Sequence, residues 1–99
     1  MPIPLKGKPS VASSYKLDQN YPNPFNPSTK ITFELAKSEK VKLAVYNLLG
    51  EQVAVLVNGT RNAGPQTVTF DAKNFSSGVY FYKLEAGSTV LAKKMMLLK

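Results

Sequence analysis

From Ile31 onward, apolar side chains return at every second residue, in short segments separated by turn residues. A period of two lines one face of an extended chain, whereas a helix needs apolar residues three and four apart. Ile31, Phe33 and Leu35 alternate with Thr32 and Glu34, and Val41, Leu43 and Val45 with Lys40, Lys42 and Ala44. Asn47-Leu48-Leu49-Gly50-Glu51 reads as a turn with Gly50 at a position of positive φ. Residues 51–58 read as the returning strand, ended by the turn pair Asn58-Gly59. Ala63-Gly64-Pro65 introduces a strand at Thr67–Asp71, with Val68 and Phe70 inward. Ser76-Ser77-Gly78 opens another at Val79–Glu85. There Lys83 shares a face with Val79 and Phe81, which makes Tyr80, Tyr82 and Leu84 the core side. Ala86-Gly87-Ser88 is a tight hairpin into the last strand, Thr89–Leu98. A short further strand fits near Lys16–Gln19. No window of useful length carries a helical pattern. The expected fold is all-β, an antiparallel immunoglobulin/fibronectin-like β-sandwich of about seven strands. A small barrel is the alternative.

Ahead of these strands lies the segment Asn20-Tyr21-Pro22-Asn23-Pro24-Phe25-Asn26-Pro27. Each proline fixes φ and removes a donor, and each residue before it is pushed toward extended backbone. The segment is therefore neither helix nor central strand. It reads as an ordered loop, with Tyr21 and Phe25 available to plug it onto the body. Residues 1–14 hold three prolines and three serines without periodicity, the composition of a linker or mobile arm. The domain is thus expected over residues 15–99. Met1-Pro2-Ile3-Pro4 reads as an added start on a linker, so the chain is expected to be part of a longer protein.

The side-chain inventory narrows the function. No Cys means no disulfide, thiolate metal site or cysteine nucleophile, and no His removes the commonest general base and metal ligand. Six carboxylates are scattered rather than clustered, and no Asp/Asn run resembles a calcium loop. Neither catalysis nor any cofactor or metal is expected. The formal charge is +7, but 12 of the 13 bases are Lys and only Arg61 supplies a guanidinium. Arginine is the usual residue for bidentate phosphate and base contacts, so the lysines read as a solvated surface and no nucleic-acid partner is expected. No apolar run approaches the ~20 residues of a spanning helix, and the N-terminus lacks the apolar stretch of a secretory signal. Asn58-Gly59-Thr60 and Asn74-Phe75-Ser76 fit a glycosylation pattern too common to carry weight.

Two features admit more than one reading. Tyr15, Tyr21 and Phe25 could stack sugar rings, as on a carbohydrate-binding sandwich, or could anchor the proline loop. In the last strand, Leu91, Met95, Met96, Leu97 and Leu98 mix with Lys93, Lys94 and Lys99. Either assignment of its faces puts a Lys inward or a large apolar residue outward. Such an edge is a template for pairing with a partner strand, including a second copy in an edge-strand dimer; equally, it could pack under a loop with lysines guarding it.

The order Leu17-Asp18-Gln19-Asn20-Tyr21-Pro22-Asn23-Pro24-Phe25-Asn26-Pro27-Ser28-Thr29, then Ile31-Thr32-Phe33, resembles the opening of the C-terminal sorting domains of the type IX (Por) secretion system. Val45-Tyr46-Asn47-Leu48-Leu49-Gly50 is similar to that family's central hairpin, and Ala63-Gly64 to its next turn. Ser77-Gly78-Val79-Tyr80-Phe81-Tyr82-Lys83-Leu84, with Lys93-Lys94-Met95, is similar to its last two strands. The resemblance implies a non-enzymatic address label at the end of a larger exported protein of a Gram-negative bacterium. It implies passage through the periplasm, recognition by an outer-membrane translocon, and delivery to the cell surface or the medium. It further implies removal by a sortase-like protease, with attachment of the parent protein to the surface. On this reading Gly78, Val79, Lys93, Lys94, Met95, Met96, Leu97, Leu98 and Lys99 face the translocon. The loop Asn20–Pro27 is the structural signature, and cleavage falls between about Gly7 and Tyr15. The rival readings are an accessory carbohydrate-binding module and a structural immunoglobulin-like spacer.

Overall fold

The computed structural model describes residues 15–99; the arm read at residues 1–14, and any cleavage site between Gly7 and Tyr15, lie outside the described residues. The alternating segments form seven strands: β1 Lys16–Leu17, β2 Ser28–Leu35, β3 Glu39–Tyr46, β4 Gln52–Arg61, β5 Gly64–Asp71, β6 Gly78–Ala86 and β7 Thr89–Leu97. They build two antiparallel sheets, one in the order β1-β2-β5 and one in the order β4-β3-β6-β7. The chain crosses between sheets after β2, β4 and β5, and turns back within the larger sheet at the β3–β4 and β6–β7 hairpins. This is the expected sandwich.

Alternation decides what lies between the layers. Ile31, Phe33 and Leu35 from β2 meet Val41, Leu43 and Val45 from β3, all nearly solvent-free. Tyr82 and Leu84 from β6 and Met95 and Leu97 from β7 complete the centre, and Phe70 closes it from β5. Tyr80 is also buried while Phe81 is not, as the position of Lys83 on the opposite face requires. Ala44 departs from the pattern, for it points away from the core yet is covered. The register places it against Val55 on β4 and the long Lys83 side chain on β6, which shield so small a residue.

The short first strand ends at Leu17 rather than Gln19, the last at Leu97 rather than Leu98, and two boundaries move by three residues from the sequence reading. Asn58-Gly59 is not a closing turn: β4 runs on to Arg61, with Gly59 opposite Val41 and Arg61 opposite Glu39. The length of β3 sets this, because its first residues still need partners. Likewise β5 begins at Gly64 rather than Thr67, and Pro65 sits inside it opposite Glu34. A proline costs a ladder hydrogen bond only where its N–H is needed, and β5 is an edge strand. Gly50 adopts φ +84 as its turn demands.

Burial of this kind has a measurable consequence. Leu43→Ala, at a fully enclosed site, is expected to lower unfolding stability by about 2–5 kcal/mol. Thr69→Ala, on the exposed outer side of β5, is expected to stay within about 0.5 kcal/mol. Urea titration followed by circular dichroism distinguishes the two.

Candidate functional site

The last strand, β7, lies at the edge of the larger sheet, so one row of its backbone groups points away from β6. The proline loop meets that row. Gln19 Nε2 donates to Lys94 O at 2.7 Å, and Met96 N donates to Asn23 Oδ1 at 3.0 Å. Phe25 N donates to Met96 O and Leu98 N donates to Phe25 O, both at 3.0 Å. The result is a short parallel pairing of Phe25 with Leu97. A segment without regular structure thus serves as an extra strand beside the end of β7. An open apolar edge was one reading of the sequence; the structure restricts it to the part of β7 nearer the hairpin. Among the described residues, the hydrogen bonds that the loop and the preceding Gln19 make to β7 go no further back than Lys94.

What holds the loop there is a phenol. Tyr82 on β6 is fully buried, and its hydroxyl donates to Asp18 O at 2.6 Å and accepts from Asn20 N at 2.8 Å. Asn20, itself only 1% exposed, donates through Nδ2 to Thr29 Oγ1 at 3.0 Å and to Pro22 O at 3.1 Å. Thr29 Oγ1 in turn donates to Pro22 O at 2.8 Å, and Gln19 Nε2 donates to Asn20 Oδ1 at 2.7 Å. Each buried polar group of this cluster therefore has a partner, which removes the penalty of taking it out of water. Phe25 adds the apolar plug. Its ring is 2% exposed and 6.0 Å from that of Phe70, which continues edge-on to Phe75 at 5.4 Å. Burial pushes the Tyr82 phenol up to about 12, with the Asn20 N–H acting in the opposite sense.

The residues singled out for recognition do not act as one block. Met95 and Leu97 belong to the core, whereas Lys94, Met96, Leu98 and Lys99 are exposed. Lys93 lies half-buried on the inner side with Leu91, in a groove of about 270 Å³ that Tyr15 and Leu17 also line. Both outcomes foreseen for this strand occur together, a Lys on the inner side and apolar residues on the outer. Gly78, opposite Leu97, has φ +151, a conformation that side-chain-bearing residues rarely adopt. Val79 is half-buried beside Met96 on the outer side. Lys99 is tied back, its N donating to Ser77 Oγ at 2.9 Å and its Nζ to Lys73 O at 2.5 Å.

The aromatic trio separates as well. Phe25 is buried, Tyr15 is half-buried with its hydroxyl donating to the Glu39 carboxylate, and Tyr21 is 81% exposed. They present no shared flat face to a sugar, and anchoring falls to Phe25 alone. Sequence reasoning treated Tyr82 as packing and missed its hydroxyl. The available signal was a tyrosine at an inward position, whose O–H must find a partner. No group of three or more metal-ligating side chains occurs among the described residues.

Comparison with known proteins places this geometry. The family described as "Secretion system C-terminal sorting domain" matches residues 19–98, from the side chain that reaches Lys94 O to one residue past the last strand. No curated protein matches the chain.

Tyr82→Phe tests the phenol's role. It strips a partner from both Asp18 O and Asn20 N, at about 1–3 kcal/mol for each group left unpaired. Alkali gives a second readout. Because the folded phenol ionises near 12 and a free one near 10, the unfolded chain gives up its proton first as pH rises. This contribution is intact below pH 10 and is lost between pH 10 and 12, up to about 2–3 kcal/mol. Tyr82→Phe is expected to show a shallower alkaline fall in denaturant titrations.

Proposed function

The chain belongs to the secretion-system C-terminal sorting domains, and from that membership we infer that its last strand, as displayed by the fold, is the part read by an outer-membrane translocon. The domain is a sorting signal of the type IX system, from a family of non-catalytic signals, and its membership implies export as part of a larger protein. The observation supporting the finer reading is the division of labour within β7. Met95 and Leu97 anchor the strand in the core, so Lys94, Met96 and Leu98 are held outward in fixed order. Lys93, Gly78 and Val79 contribute at the margins, and Lys99 closes the end.

The partners on this reading are the translocon, a sortase-like protease and the protein carried ahead of the domain. The parent would pass through the periplasm and reach the cell surface or the medium. Cleavage would fall between about Gly7 and Tyr15, in a segment whose Pro9 and three serines give it the composition of a linker. The proline loop Asn20–Pro27 would serve as scaffold rather than as contact.

Export of a fluorescent cargo tests this. Residues 1–99, placed behind a signal peptide and the cargo in a host carrying the type IX system, are expected to deliver it to the surface or medium. Deleting Met95–Lys99 is expected to abolish delivery, but it also removes core. Leu98→Ser with Lys99→Ser leaves the core side chains in place, and is expected to reduce export while the melting temperature shifts by only a few degrees. Export unchanged in both variants would sink the C-terminal reading.

A further inference from the structure

The outer face of the larger sheet carries a ridge that the core does not need. The register sets Tyr46, Phe81 and Lys94 side by side across β3, β6 and β7, with Val79 and Met96 paired in the next row. Phe81 is 37% exposed and Met96 40%. Solvated sheet faces usually alternate polar residues outward, so adjacent outward aromatic and apolar residues mark an interaction surface. A hollow lies on either side of the ridge. One, of about 350 Å³, is lined by Tyr46, Phe81 and Lys83; the other, of about 190 Å³, by Pro24, Val79 and Met96.

Charge on this face is one-sided. The outward positions of β3, β6 and β7 carry Lys40, Lys42, Lys83 and Lys94 against the single carboxylate Glu85. That carboxylate is already engaged, 3.2 Å from Lys83 Nζ. Lys83 also lies over the Tyr46 ring, 5.0 Å from its centroid. Glu85 first, and then Tyr46, hold its ammonium above the ordinary lysine value.

We propose that this face, with the Phe81–Met96 ridge at one end and its lysines within and beyond that ridge, docks an acidic protein surface of the export machinery, one that offers apolar side chains beside carboxylates. The proposal rests on the sorting reading and names the chemistry of the partner. Two other occupants fit less well. A second copy would bring lysine-rich faces together, which costs free energy unless the charges are compensated. A bilayer is smooth and has no discrete side chains to enter two separate hollows. The chain enters the fold through β1 in the other sheet, so the ridge stands on the layer away from that entrance.

The test measures association of the full chain with outer-membrane vesicles from a host carrying the system. Vesicles are used untreated and protease-stripped, beside protein-free anionic liposomes, with sedimentation of the chain alone. Expected is saturable binding to untreated vesicles that weakens steeply with salt and is lost on stripping. Phe81→Glu with Met96→Glu, and separately Lys83→Glu with Lys94→Glu, should each weaken it at least tenfold. Thr67→Glu, on the outer side of the opposite sheet, should not. Both double variants alter exposed or half-exposed positions, and thermal melts verify that they fold.

Equal binding to protein-free liposomes overturns the proposal in favour of lipid. A dimer abolished by Phe81→Glu overturns it in favour of a second copy, and absence of binding or indifference to both double variants overturns it outright. The export assay separates the two levels. Unexported wild-type cargo defeats the sorting reading itself, whereas wild-type cargo exported alongside unimpaired face variants defeats only this inference.

Discussion

Two hydrogen bonds at one buried oxygen, the Tyr82 hydroxyl, organise the entrance to this fold. The tyrosine stands in the middle of β6, and through Asp18 O and Asn20 N it fixes backbone more than sixty residues earlier in the chain. Without that partner, the segment after β1 would have to bury a carbonyl and an N–H unsatisfied or leave the body. With it, Asn20 is placed to gather Pro22 O and Thr29 Oγ1, so the prolines act on a chain whose start is already fixed. Proline restricts the loop locally but supplies no adhesion. The adhesion comes from the phenol, the asparagine and the Phe25 ring.

The position of the loop then decides the condition of the sheet edge. An edge strand ordinarily invites pairing with whatever extended chain it meets. Here Gln19, just ahead of the loop, occupies Lys94 O, and the loop itself occupies both groups of Met96 and Leu98 N. It does so from within the same molecule, where the groups are held close by the fold and an intermolecular strand would have to displace them. A signature that looks local in sequence is therefore a device acting on the opposite terminus. Read as a lock on the first strand alone, the proline loop would be given half its role.

The layers of the sandwich were legible because alternation is a direct consequence of strand geometry. Every inward residue named for β2 and β3, and Tyr80, Tyr82 and Leu84 on β6, is buried. The ends of strands were less legible. Gly59 and Pro65 carry turn chemistry, yet both lie in strands whose length the partners β3 and β2 dictate, and a partner's length is not a local property. The candidate site divided the same way. The last strand's mixed pattern showed that both its faces carry apolar residues, but not which apolar residue served which face. Register settles that, and register depends on contacts with Asn23 and Phe25, roughly seventy residues away. The Tyr82 cluster stayed hidden for a related reason, since hydroxyl partners are chosen by tertiary position rather than by spacing.

Register also links the lock to the displayed surface. A slip of one residue in a strand exchanges its two faces completely. In β7 such a slip would carry Lys94 and Met96 into the core and expel Met95 and Leu97. Hydrophobic burial opposes it only partly, because Met96 and Leu98 are nearly as apolar as the residues they would replace. Lys93, half-buried on the inner side, weakens the discrimination further. The loop supplies what the pattern lacks: Asn23 and Phe25 accept and donate at Met96 and Leu98, and a one-residue shift would turn those groups toward β6. The ridge is assembled from β3, β6 and β7, and its members Tyr46 and Met96 stand half the chain apart. It exists as a surface only when the sandwich has closed in the correct register. A partner that reads this face would thereby read the folded state, and Tyr82, although buried beneath it, would govern whether there is anything to read.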